Sequence, residues 1–139
     1  MTDLPADVRE RYCDLARQRK WPPEMESAFL RTVTRWRAID QGPAPRRYYE
    51  RTDDEGLAEQ GTRWLWETIT VDGAVTAVKQ IEVPLDGAVR RYCWWRLEDD
   101  ISGLTDQPLE PKEEGLHAIT RAAFYKVWDR AGSRECAAD

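Results

Sequence analysis

Residues 62–97 read TRWLWETITV (62–71), Asp72-Gly73, AVTAVKQIEVPL (74–85), Asp86-Gly87 and AVRRYCWWRL (88–97). Three runs rich in β-branched and aromatic residues are joined twice by Asp-Gly. Both central positions of a tight hairpin turn need positive φ, which Asp and Gly tolerate. The stretch therefore predicts a three-stranded antiparallel meander. Two-residue turns also fix the register. They set Trp66 opposite Lys79 and Trp64 opposite Ile81, then Lys79 opposite Trp94 and Ile81 opposite Tyr92. One face would carry the rows Trp64, Ile81, Tyr92 and Trp66, Lys79, Trp94, with Arg90 and Arg96 near the ends of the third strand. The other face would carry Leu65, Ile69, Val78, Cys93 and Trp95, with Glu82 paired to Arg91. A β-bulge of one residue would exchange the rows.

Upstream, Val8, Tyr12 and Leu15 fall on one helical face, predicting a helix from about Asp3–Pro5 to Arg19. Trp21-Pro22-Pro23 breaks it and starts a second helix, whose apolar stripe is Phe29, Leu30, Val33 and Trp36. Gly42-Pro43-Ala44-Pro45 ends that helix, and RRYYER (46–51) suggests a fourth, short strand. Residues 53–61 form an acidic loop, as does most of 97–114. A final helix spans Thr120 to Ala131, with Thr120 as N-cap and Ile119 and Phe124 spaced as a hydrophobic staple. The expected architecture is α+β: two N-terminal helices, an antiparallel β-meander of three to four strands and a C-terminal helix. Residues 1–132 make one domain and 133–139 a flexible tail.

The chain has 139 residues, enough for a core without staples. Its three cysteines lack a paired spacing, so neither a disulfide frame nor a zinc site is expected. The opening MTDLPADVRERY has no apolar run, and no segment approaches bilayer length. A cytoplasmic protein without membrane contact is expected. Net charge is −5, divided into +3 over residues 1–51 and −8 over the rest. An acidic whole argues against nucleic acid, whose non-specific binding rests on neutralising phosphates.

No catalytic constellation stands out. The single histidine, His117, has apolar or small neighbours and suits a capping or surface role. The three serines occupy no nucleophile elbow, and neither Gly-rich phosphate loop occurs. Cys93 reads as a small buried hydrophobe, and Cys136 lies on the tail. No cofactor is expected. The carboxylates of 98–114 could hold a hard cation, but their spacing matches no known loop, and a solvated loop is the simpler account.

What exceeds the ordinary is the tryptophan content, seven residues in 139. Two readings of the sheet face stay open. In one, Trp64, Ile81 and Tyr92 are core, and the Lys79 stem lies along indole surface with its amine in water. In the other, Trp64, Trp66, Lys79, Tyr92, Trp94 and Arg96 form an exposed aromatic and cationic patch, a composition suited to binding.

From Lys79 to Trp128 the chain resembles a group of small uncharacterised bacterial domains. The matching pieces are KQIEV (79–83), Asp86-Gly87, Arg91-Tyr92, Gly103-Leu104, Gln107-Pro108-Leu109, and Ile119-Thr120 with Phe124 and Trp128. The resemblance brings no activity with it. The expectation is thus a non-enzymatic interaction module for another protein or a small ligand. Neutralising a basic toxin, as an immunity protein does, is one form of it. The alternative is a small enzyme dependent on carboxylates or a metal, using the acidic 98–114 loop.

Overall fold

The computed structural model describes residues 4–52, 62–85, 88–99 and 101–130. In chain order these form α1 (Ala6–Arg19), α2 (Pro23–Asp40), β1 (Arg46–Thr52), β2 (Arg63–Val71), β3 (Ala74–Val83), β4 (Arg90–Tyr92), β5 (His117–Ile119) and α3 (Arg121–Arg130). The fold is α+β, with one antiparallel sheet in the order β4-β3-β2-β1-β5. The short strand read from RRYYER is present as β1. The fifth strand was not predicted. The second Asp-Gly pair, the 53–61 loop and the 133–139 tail lie outside the described residues. Among the described residues, no helix is long and apolar enough to cross a membrane.

Local chemistry explains the element ends. Lys20 closes α1 in the left-handed conformation, at φ 56°. Pro23 opens α2, where a missing N–H costs nothing. Asp72 and Gly73 both take positive φ, as the hairpin requires. Thr120 caps α3 by accepting a hydrogen bond from the Ala123 N–H at 3.0 Å.

The register differs from the expected one. Thr68 faces Ala77, but Glu67 faces Lys79, so Val78 is left without a partner across the ladder. This β-bulge shifts the pairing by one residue and turns the rest of β3 over. Trp64 now lies opposite Glu82, and Trp66 opposite Gln80. Across the next pair, Gln80 faces Tyr92 and Glu82 faces Arg90. The expected partners Lys79, for Trp66, and Ile81, for Trp64, therefore sit on the opposite face. The ion pair of Glu82 is with Arg90, at 2.8 Å, and not with Arg91. Trp36 marks the bulge by donating its indole N–H to the Ala77 carbonyl at 3.0 Å.

The expected third strand also stops early. Cys93 and Arg96 exchange backbone hydrogen bonds of 3.2 and 3.0 Å, closing a turn through Trp94 and Trp95. Both indoles leave the sheet and pack edge to face in the core.

All three helices contribute to the core on one side of the sheet. That core joins Val8 and Tyr12 of α1, Val33 and Trp36 of α2 and Phe124, Val127 and Trp128 of α3 to Tyr48, Leu65 and Ile81. On the other side is a smaller cluster of Trp66, Ala77 and Leu109 with Tyr49, Trp64, Val75, Leu104 and Leu116. No helix enters it. Its cover is the segment 101–116, which joins the sheet through a bridge between Val75 and Leu109.

Candidate functional site

The sheet face without helices is built from two cross-strand rows. One runs Arg51, Trp64, Glu82, Arg90, and the next runs Tyr49, Trp66, Gln80, Tyr92. Residues 101–106 cross this face as a strap. Between the rows and the segment 101–114 is a cleft of about 350 Å³. Trp64, Trp66 and Leu109 supply its apolar wall, while Ser102, Thr105 and the charged row supply polar groups.

Gln80 fastens the strap. Its side-chain amide donates to the Gly103 carbonyl at 2.9 Å and accepts from the Thr105 N–H at 3.0 Å. One side chain thus reproduces the pairing of a neighbouring strand. The same amide also accepts from the Trp66 indole N–H at 3.0 Å and donates to Glu82 at 2.9 Å. Ser102 adds a 2.5 Å hydrogen bond to Glu82. Gly103 lies so close to the preceding turn that a Cβ would stand 2.9 Å from the Leu97 carbonyl oxygen.

Asp99 anchors the start of the strap. It accepts from the Ile101 and Ser102 N–H groups at 2.9 Å and from the Tyr92 hydroxyl at 3.0 Å. Burial alone would raise the Asp99 pKa. The two backbone donors, Tyr92 and Arg96 outweigh that and lower it. For Tyr92, burial and the Asp99 carboxylate both act upward, so the phenol stays protonated.

Gln80→Met keeps the stem volume and removes every polar contact of the amide. It orphans buried groups at about 1–3 kcal/mol each. The urea midpoint should fall, and hydrogen exchange at the Thr105 amide should rise more than in the helices. Unchanged Thr105 protection would show that the strap is held by other means.

The structure brings together three of the six residues expected to bind. Trp64, Trp66 and Tyr92 share the cleft face. Lys79 faces the helices, where its ammonium lies 3.2 Å from Asp40 and 3.4 Å from Glu67. Arg46 reaches the same two carboxylates at 2.7 and 2.8 Å. Tyr48 donates to Glu67 at 3.2 Å, and Tyr125 also hydrogen-bonds to it. Trp94 is in the helix-side core under the Arg37 guanidinium, at 5.2 Å. Arg96 is 3.5 Å from Asp99, at a separate hollow beside α1.

Sequence reading missed Arg51 as a site residue. Its signal was its position in RRYYER, one strand away from Trp64. The described acids of the 98–114 segment do not meet at one point: Glu98 pairs with Arg19 at 3.2 Å, Asp99 accepts from the Tyr92 hydroxyl, and Glu110 lies beside Glu113 and Glu114 at another turn. Among the described residues, no three His, Cys, Asp or Glu side chains are grouped to hold a metal ion. His117 is exposed on β5, opposite Glu50. No family model, curated protein or solved structure matches this chain.

Proposed function

We propose that this chain is a non-catalytic binding module and that its ligand seats in the cleft between the helix-free sheet face and the strap. The observation that carries the reading is the division of the sheet. One face is filled by three helices, while the other keeps a cleft walled by two tryptophans. A volume near 350 Å³ suits a small molecule better than a flat protein interface. The lining is mostly polar, with Trp64, Trp66 and Leu109 as its main apolar part.

The side chains that shape the cleft are engaged in building it. Gln80 and Glu82 are buried and held by several hydrogen bonds each. That favours recognition by a preformed surface over proton transfer.

Fragment screening on ¹⁵N-labelled protein tests the proposal. Indole resonances of Trp64 and Trp66 and amides of 102–105 should move together on binding. Trp64→Ala should retain cooperative unfolding, because Trp64 is only half-buried, and should abolish those shifts. Hits confined to the hollow lined by Arg11, Tyr12 and Trp95 would place binding elsewhere and sink the proposal.

A further inference from the structure

We infer that the cleft takes a small organic carboxylate with a flat apolar body, and that Arg51 reads its charge. This rests on the cleft being the binding site. Four charged side chains line it: Arg51, Glu82, Arg90 and Glu114. Three already have polar partners within the protein. One Glu82 oxygen accepts from Arg90 at 2.8 Å, and the other accepts from Ser102 at 2.5 Å and Gln80 at 2.9 Å. Glu114 accepts from the Glu110 N–H at 2.6 Å.

Arg51 differs. Among the described residues it makes no ion pair, and its guanidinium lies 5.5 Å from the centre of the Trp64 ring. The carboxylate next to it in sequence, Glu50, projects to the opposite face and is held by Arg63 at 2.8 Å. A guanidinium held against an indole still presents its in-plane N–H edge, which matches a carboxylate with two parallel hydrogen bonds.

The two arginines and two glutamates of the cleft sum to zero, so the preference for an anion comes from Arg51 alone and not from a net positive cleft. A phosphate dianion would bring a second charge towards Glu82 and Glu114. The indole of Trp64, Leu109 and the exposed Ile101 then offer apolar area to the rest of the ligand.

Benzoate, benzamide and inorganic phosphate, titrated at low salt into the full chain, test the inference through the Trp64 indole signal. Benzoate should bind at least roughly tenfold tighter than benzamide, as a charge-assisted pair implies. Arg51→Gln should erase that difference with the melting temperature unchanged, and Arg51→Lys should restore part of it. Equal binding of benzoate and benzamide, indifferent to Arg51→Gln, would overturn the carboxylate assignment and leave the cleft standing. Phosphate competing as well as benzoate would overturn the choice of anion. No response to either aromatic probe would remove the cleft itself.

Discussion

Glu67→Ala is expected to destabilise the fold by about 3–5 kcal/mol, the cost of removing one partner from a buried ion network. Glu67 is 1% exposed, and its carboxylate meets Arg46 and Tyr48 of β1, Lys79 of β3 and Tyr125 of α3. Without it, Arg46 and Lys79 lose one of the two carboxylates they share, and the Lys79 side chain is only 8% exposed. Its titration gives a second, independent signature. Burial pushes the Glu67 pKa up, but Lys79, the Tyr125 hydroxyl and Arg46 together bring it below the ordinary carboxylate value. A carboxylate depressed in the folded state contributes stability that is complete above its unfolded pKa, near 4.5. That contribution is lost as pH falls through the lower, folded value. Urea unfolding from pH 7 to 3 should therefore show wild-type stability falling on the acid side. The isosteric Glu67→Gln should show a shallower fall. Parallel profiles would mean that Glu67 does not carry the acid sensitivity.

Trp94→Ala should cost a similar amount, about 3–5 kcal/mol, for a different reason. Trp94 is 1% exposed and stands at the meeting point of α1, α2 and the turn after β4. Its ring is covered by Arg37 and abuts Trp95 with centroids 4.9 Å apart. Its carbonyl accepts the Tyr12 hydroxyl at 2.7 Å, and the same hydroxyl accepts from the Leu97 N–H at 3.1 Å. Truncation opens a cavity beneath that clamp. Chemical unfolding should show the loss directly. Trp64→Ala, at the cleft, should change stability far less. If the two variants were equally destabilised, the division between core and cleft tryptophans would be wrong.

The contrast between these tryptophans shows what a single sequence discloses. Helix starts and stops were legible because each has a local chemical cause: Pro23 at a first turn, Thr120 as a cap. The Asp72-Gly73 hairpin was legible for the same reason. The bulge at Val78 has no such mark. Neither glycine nor proline is near, and it is stabilised from a distance by Trp36, which no local pattern reveals. One unmarked residue was enough to move Lys79 from an aromatic patch into an ion cluster. Trp64, Trp66 and Tyr92 kept their common face because the β3–β4 register also differs by one residue from the expected one, with Gln80 and not Ile81 opposite Tyr92, which cancels the turning of β3. β5 escaped notice because three residues are too few to show alternation, and its pairing depends on β1. The strap was read as a solvated loop because Gln80, the side chain that orders it, lies about twenty residues upstream.

The bulge also sets a rule for comparing this chain with any other. Before Val78, odd positions of β3 (Val75, Ala77) look towards the strap. After it, even positions (Gln80, Glu82) do so. The strand thus changes parity partway along. An alignment that runs through it without a gap, against a strand lacking the extra residue, will match cleft positions to core positions on one side of residue 78. Any inventory of which β3 substitutions are tolerated must be kept as two separate tables, joined at that residue.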